Sequence, residues 1–153
     1  MVYNTAAPQG RFFGKVFAFP ARIYYEDTDA GGVVYYANYL KYAERARTEF
    51  IRALGCEDQQ EALERDGKCG FMVRGLNIEY KAPAVLDDLL TVTCELTEMK
   101  GAGAEMKQEI YCGEKLLVQL TIKLAYVSLT KKRPVRIPEE MIKKVEALSE
   151  LRA

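Results

Sequence analysis

The residues best suited to chemistry are two aspartates beside a glycine pair, in residues 27–32, DTDAGG. The chain has no histidine, and serine occurs only at Ser128 and Ser149. A Ser-His-Asp triad, a Cys-His pair and a histidine-based dehydratase all require an imidazole, so these classes are excluded. A carboxylate, at Asp27 or Asp29, is therefore the candidate base or nucleophile.

The two aspartates stand just before a predicted helix, and that position suggests a use for them. Backbone N–H groups in the first turn of a helix lack partners and carry partial positive charge, so they can polarise a carbonyl and hold an oxyanion. Gly31 and Gly32 allow the chain to bend, so that a carbonyl substrate can approach the amides of residues 34–38. The competing interpretation is a solvated loop in which one aspartate caps a turn.

A long amphipathic helix must present these groups. Apolar or small residues recur at helical spacing over residues 39–54, with Asn38 as the predicted N-cap and Gly55 as the stop. A strand precedes it at residues 15–25, where Pro20 indicates an edge position or a bulge. The remaining predicted elements are a short helix at 58–65, strands at 71–80, 89–99, 104–112 and 116–129, and a helix at 139–151 that begins after Pro138.

This order predicts an α+β fold in which a curved antiparallel sheet wraps around one long helix. We expect one domain over residues 1–153, with its core at about 15–130, a C-terminal helix at about 138–151 and the last four strands as a meander. Such a sheet leaves edge strands exposed, which favours a homo-oligomer over a monomer.

Composition and sequence motifs limit the partners, metals and cellular location that we expect. Lysine plus arginine equal aspartate plus glutamate at 22 each, so no nucleic-acid partner is expected. The four cysteines form no CxxC pair, which argues against zinc and a redox dithiol and favours free thiols. A calcium loop starting at Asp27 fails because its twelfth position is Asn38, so no metal is expected. No signal peptide or membrane span is predicted, which indicates a cytoplasmic protein without membrane insertion.

Several motifs together resemble the 4-hydroxybenzoyl-CoA thioesterase family, and within it the Tol-Pal-associated acyl-CoA thioesterases most closely. The resemblance spans residues of about 18–138. It implies a hot-dog fold, homodimers that often form homotetramers, and hydrolysis of acyl-CoA thioesters without a metal or cofactor. The motifs that carry it are residues 23–35 (IYYEDTDAGGVVY), 37–39 (ANY), 44–49 (ERARTE), 71–74 (FMVR), 79–80 (EY), 82–84 (APA) and 86–88 (LDD).

The resemblance also implies site residues. The catalytic aspartate of the family maps onto Asp29, as nucleophile or general base, and the amide that polarises the thioester carbonyl maps onto Tyr36. Many Tol-Pal-associated members carry histidine at that position, so only the backbone role can survive here. Tyr25 matches a tyrosine near the site in the close relatives; a core strand aromatic is its alternative interpretation.

Two basic groups suggest partners. Lys131, Lys132 and Arg133 could meet the phosphates of CoA, or could form a solvated basic turn. The alternative to an enzyme is a non-catalytic or weakly catalytic module that binds acyl carrier protein or an envelope complex. Lys41, Arg45 and Arg52 on the exposed helix face would then meet an acidic partner.

Overall fold

The computed structural model describes residues 3–5, 9–55 and 69–148. Within them lie seven strands, β1 (Arg11–Phe13), β2 (Val16–Arg22), β3 (Cys69–Tyr80), β4 (Leu89–Lys100), β5 (Gly103–Cys112), β6 (Lys115–Ser128) and β7 (Arg133–Pro134). They form one antiparallel sheet in the order β1-β2-β4-β5-β6-β3, with β7 paired to β6. Register shifts in the β3–β6, β4–β5 and β5–β6 pairs are the irregularities that bend a sheet.

The long helix α1, Asn38–Ala53, packs on this sheet, which confirms the predicted α+β architecture. Its buried face consists of Tyr39, Tyr42, Ala43, Ala46 and Phe50, all of them predicted from helical spacing. Ala43 and Ala46 are fully buried, and their small side chains let the helix approach the sheet closely.

The ends of α1 match the prediction at one end only. Gly55 adopts a φ of +107° and its N–H donates to the carbonyl of Arg52, as expected of a glycine that stops a helix. The predicted N-cap is wrong: Ala37 occupies that position, and Asn38 is the first helical residue. The side chain of Asn38 bonds elsewhere, to the carbonyl of Asp27.

The predicted meander is correct for β4, β5 and β6 and wrong for β3. Strand β3 pairs with β6 at the far edge of the sheet instead of with β4. The connection from Tyr80 to Leu89 is longer than a tight hairpin turn, so the chain can cross to a distant strand. It passes the start of α1, where the N–H of Val34 donates to the carbonyl of Ala84 at 2.9 Å.

Smaller differences lie near the termini. Strand β2 ends at Arg22, short of the predicted 15–25, because residues 25–27 turn into a 3-10 helix. Pro20 lies beyond the reach of β1, which pairs only as far as Ala18, so its edge position is confirmed. Strands β1 and β7 were not predicted, since two or three residues carry too little pattern.

The C-terminal helix α2, Glu139–Ala147, begins after Pro138 as predicted. Its Met141 and Ile142 are partly buried against the core. The predicted helix at 58–65, and residues 149–151 of the predicted C-terminal helix, lie outside the described residues.

Candidate active site

Asp29 lies in a small hairpin that precedes α1. A single antiparallel bridge joins Thr28 to Val34, and the N–H of Asp29 donates to the carbonyl of Val33 at 2.9 Å. The turn closes with the N–H of Gly32 donating to the carbonyl of Asp29 at 3.0 Å. Gly32 has a φ of +80°, a conformation that favours glycine, so the hairpin requires it.

The carboxylate of Asp29 is exposed and is held by one contact. Its Oδ1 accepts the N–H of Gly31 at 2.9 Å, while Oδ2 has no partner among the residues that the structure describes. A Cβ on residue 31 would lie only 3.2 Å from Oδ1, so glycine leaves room for the carboxylate. This contact is compatible both with a capped turn and with an oriented catalytic group that keeps one oxygen open.

Asp27 is half-buried and has a structural role. Its Oδ2 accepts the N–H of Tyr24 at 2.7 Å. Its carbonyl oxygen accepts two further bonds, from the N–H of Tyr35 at 3.0 Å and from Nδ2 of Asn38 at 2.8 Å. The two aspartates therefore divide their roles: Asp27 ties the loop to the start of α1, and Asp29 faces solvent.

The amides at the start of α1 are open. Within the described part of the chain, the N–H groups of Tyr36 and Ala37 have no hydrogen-bond acceptor. The N–H of Asn38 is occupied, because it donates to the carbonyl of Tyr35 at 2.9 Å. Two adjacent free donors at the positive end of a sixteen-residue helix form a site for a carbonyl oxygen or an oxyanion.

A tyrosine cluster surrounds these amides. The Tyr36 ring, which is 61% exposed, lies 5.0 Å from the Tyr35 ring and 6.1 Å from the Tyr80 ring, and Tyr80 lies 5.8 Å from Tyr39. The hydroxyl of Tyr80 donates to the carbonyl of Tyr36 at 3.0 Å. Sequence reasoning gave Tyr80 no role, although it belongs to one of the matching motifs.

Burial raises the pKa of both Tyr39 and Tyr80 above the ordinary tyrosine value. Their hydroxyls therefore stay neutral at physiological pH. Tyr80 can then donate a hydrogen bond, while Tyr39 Oη accepts the N–H of Ala84 at 3.0 Å and braces the connection from β3 to β4.

Tyr25 lies in the 3-10 helix Tyr25–Asp27 and is 82% exposed. Its alternative interpretation as a core strand aromatic is therefore wrong. Its carbonyl accepts the hydroxyl of Thr28 at 2.9 Å, which places Tyr25 beside the loop of Asp29.

The basic turn does not meet this site within one chain. Lys131 and Lys132 lie in the turn between β6 and β7, and Arg133 pairs with Ser128 at the end of β6. Tyr80 pairs with Val118, ten residues earlier on β6. At about 3.3 Å per residue this separation is about 33 Å along the strand.

Three further properties belong to the residues that the structure describes. They contain no group of His, Cys, Asp and Glu that could hold a metal ion. None of their helices is long and apolar enough to cross a membrane. Cys69, Cys94 and Cys112 are free thiols, as predicted, and burial raises the pKa of Cys94 to about 12; Cys56 lies outside the described residues.

A cavity of about 200 Å³ lies away from Asp29, under the C-terminal half of α1. Phe50, Phe71, Met106 and Met141 are among its lining residues, and none of the lining residues belongs to the loop of Asp29.

Comparison with known proteins shows one consistent relationship. The model of the thioesterase-like superfamily matches residues 24–145. The chain is 46% identical over 125 residues to the acyl-CoA thioesterase YbgC of Haemophilus influenzae, covering 82% of this chain and 90% of that protein.

Solved structures agree. A probable thioesterase from Bartonella henselae is 37% identical with a TM-score of 0.70, covering 81% of this chain and 99% of that one. The 4-hydroxybenzoyl CoA thioesterase of Pseudomonas sp. strain CBS-3 has a TM-score of 0.77 at 19% identity, covering 85% and 99% of the two chains. At that identity the likeness shows a shared fold, the hot-dog arrangement that the sequence predicts.

Proposed function

The chain belongs to the thioesterase-like superfamily, and from this membership we propose that it hydrolyses acyl-CoA thioesters at the loop of Asp29 and the start of α1. One observation carries the assignment to this site. The carbonyl of Asp27 joins the loop that carries Asp29 to the start of the helix through Tyr35 and Asn38, so the open carboxylate and the free Tyr36 amide belong to one hydrogen-bonded unit. An acyl-CoA thioesterase needs a group that delivers oxygen and donors that hold the carbonyl.

The reaction replaces a C–S bond with a C–O bond and consumes one water. If Asp29 acts as a base, it takes a proton from water as the water oxygen bonds to the thioester carbon. The tetrahedral oxyanion then collapses and the CoA thiolate leaves. The thiolate receives the proton that Asp29 took from water. A thiolate is a good leaving group, so the absence of histidine is tolerable.

If Asp29 acts as a nucleophile, its oxygen bonds to the thioester carbon and CoA thiolate leaves, giving an acyl-aspartyl anhydride. Water then hydrolyses the anhydride and restores the carboxylate. Both routes use the open Oδ2 and both place negative charge on the former carbonyl oxygen. The amide of Tyr36 serves either route, and Tyr25 is proposed to line the entrance because it is exposed beside the loop.

The test is thiol release from short-chain, long-chain and aromatic acyl-CoAs, comparing the native protein with Asp29→Asn. Asparagine keeps the acceptor for the Gly31 N–H and removes the charge, so folding should be retained while kcat falls at least about a hundredfold. Glu26→Gln, an exposed carboxylate in the 3-10 helix just before the loop, is the matched control and should retain activity. Absence of turnover in the native protein, or equal turnover in both, would overturn the assignment.

We propose that the active form is a homodimer joined along β3, and that two such dimers form a homotetramer through other faces. Strand β3 is twelve residues long and ends the sheet, so one side of its backbone has no strand partner among the described residues. Met72, Val73 and Leu76 on this strand are exposed apolar residues. Such an edge favours pairing with a second copy.

Light scattering tests the assembly. The native protein should have at least twice the mass of one chain, and Leu76→Lys should reduce it to a monomer. A native monomer with full activity would contradict the proposal.

Lys131, Lys132 and Arg133 lie far from the site of their own chain. We therefore propose that they contact the phosphates of a CoA that is bound at the site of a neighbouring copy. Replacing all three by alanine should raise KM for an acyl-CoA and leave KM unchanged for the same acyl group on N-acetylcysteamine, which lacks phosphates. An equal effect on both substrates would exclude phosphate contact.

Fewer observations support the alternative that the chain binds acyl carrier protein. Salt bridges pair Glu44 with Arg47 and Glu49 with Arg52, which reduces the basic character of the helix face. Lys41 and Arg45 remain exposed there, so an acyl carrier protein is an additional proposed substrate carrier. Thiol release from an acyl group carried on acyl carrier protein tests this proposal. Lys41→Ala should lower the rate with that substrate and leave the rate with the acyl-CoA unchanged.

A further inference from the structure

The carbonyl of Tyr36 and the N–H of Ala37 belong to the same peptide group. That carbonyl accepts the hydroxyl of Tyr80 at 3.0 Å, and that N–H has no acceptor in the described part of the chain. We infer that the Ala37 N–H is a second donor to the thioester oxygen, and that Tyr80 is a positioning residue that orients and polarises its peptide. The inference rests on the proposed function and goes beyond the single amide of Tyr36.

The two peptide groups that carry the Tyr36 and Ala37 N–H groups each accept a hydrogen bond at their carbonyl oxygen. The Tyr36 N–H shares its peptide group with the carbonyl of Tyr35, and that carbonyl accepts the N–H of Asn38 at 2.9 Å. The Ala37 N–H shares its peptide group with the carbonyl of Tyr36, and that carbonyl accepts the hydroxyl of Tyr80. A hydrogen bond to the carbonyl of a peptide strengthens its N–H as a donor, since the bonds polarise one another.

Ala37 also has the geometry that a donor at this position needs. Its φ of −74° and ψ of −19° are helical, so its N–H is aligned with those of the first turn. Ala37 is half-buried, whereas a donor in full contact with water would contribute less to the transition state. An oxyanion is stabilised when more than one such amide donates to it.

Tyr80 is held firmly enough to act on this peptide. It ends β3, where its backbone pairs with Val118. Its ring packs at 6.1 Å from Tyr36 and at 5.8 Å from Tyr39. The hydroxyl reaches across 44 residues of sequence to a main-chain atom. Because the ring packing is separate from the hydrogen bond, Tyr80→Phe removes the second without the first.

The experiment is a double-mutant cycle in the full-length protein with an acyl-CoA that the native enzyme hydrolyses. Tyr80→Phe should lower kcat about tenfold with KM within about twofold, because the donor is weakened only where charge develops. Ala37→Pro removes the N–H and suits the observed φ of residue 37, but proline also disfavours helical backbone at Tyr36, so the stability of this variant is measured beside its kcat, which should fall about a hundredfold. Tyr111→Phe, on β5, is the matched control and should leave both constants unchanged.

The double variant separates this role from packing. Since Tyr80 acts through the Ala37 N–H, adding Tyr80→Phe to Ala37→Pro should cause no further loss of kcat. Additive losses would overturn the positioning role, and a kcat within twofold of native for Ala37→Pro would overturn the second donor. Thermal unfolding of Tyr80→Phe should match that of the native protein, whereas Ala37→Pro should unfold at a lower temperature because proline disfavours the turn conformation of Tyr36. If Ala37→Pro does not fold, the kcat and KM of Tyr80→Phe still decide the role of Tyr80.

Failure of this inference is distinguishable from failure of the proposed function. If Asp29→Asn abolishes turnover and the Tyr80 and Ala37 variants do not alter it, only the inference fails. If Asp29→Asn has no effect, the proposed function fails first.

Discussion

The side-chain amide of Asn38 donates a 2.8 Å hydrogen bond to the main-chain carbonyl of Asp27, eleven residues earlier. The same carbonyl accepts the N–H of Tyr35 at 3.0 Å. These two bonds connect the first turn of α1 with the loop that carries Asp29. Together with the hairpin that joins Thr28 to Val34, these two bonds fix the loop relative to the free amides.

Asn38→Ala should loosen this connection. Alanine is a good helix former, so α1 should persist, and loss of one hydrogen bond should cost about 1 kcal/mol of the free energy of unfolding. We expect kcat to fall about fivefold with KM nearly unchanged, since the reacting groups lose alignment rather than substrate affinity. Urea unfolding and steady-state kinetics measure the two effects, with Leu40→Ala as the control in the same turn. An unchanged kcat would show that the connection does not align the site.

The two glycines of the loop should respond differently to alanine. At Gly31 the new Cβ would lie 3.2 Å from Oδ1 of Asp29, so the carboxylate must shift and kcat should fall about tenfold with little loss of stability. At Gly32 a Cβ meets nothing within 4 Å, but the φ of +80° is unfavourable for alanine, which should cost about 1 kcal/mol of stability. Kinetics and urea unfolding of both variants test this contrast; full activity of Gly31→Ala would argue against a catalytic Asp29.

Tyr42→Phe should stabilise the protein. The hydroxyl of Tyr42 is buried and has no hydrogen-bond partner among the described residues, and burial together with the nearby Asp27 carboxylate raises its pKa well above the ordinary value. Because an unsatisfied buried hydroxyl is costly, its removal should increase the free energy of unfolding by about 1 kcal/mol. A loss of stability in urea unfolding would instead show that the hydroxyl bonds to Asp27.

Cys94 should make the fold sensitive to alkaline pH. Burial raises its pKa from 9.0 to about 12, so the folded state keeps a proton that the unfolded state releases. This contribution to stability is complete below pH 9 and is lost as pH rises from 9 to about 12. Between pH 8 and pH 10 we expect a decrease of about 1 kcal/mol that Cys94→Ala lacks, with each protein compared with its own value at pH 8. The same decrease in both proteins would assign it to other groups.

The local features of the site could be predicted from the sequence. The buried face of α1, its stop at Gly55 and the bend at residues 31 and 32 follow from helical spacing and from glycine's access to positive φ. Asp29 itself was inferred from the absence of histidine and from a family resemblance. Membership of that thioesterase family is confirmed, whereas the role of Asp29 stays a prediction.

The contacts that join distant segments were not predictable. Local pattern assigned Asn38 as an N-cap, but its amide found a carbonyl eleven residues away. It gave no reason to place β3 beside β6, or the basic turn about 33 Å along β6 from Tyr80.

The sequence by itself determined the long helix, the C-terminal helix and the five longer strands, because these depend on side-chain periodicity and on φ values set within a few residues. Only the tertiary structure decided that Tyr80 meets the carbonyl of Tyr36 and that Asp27 meets Asn38. Such pairings depend on which apolar faces are buried together, and that choice is made by the whole core at once.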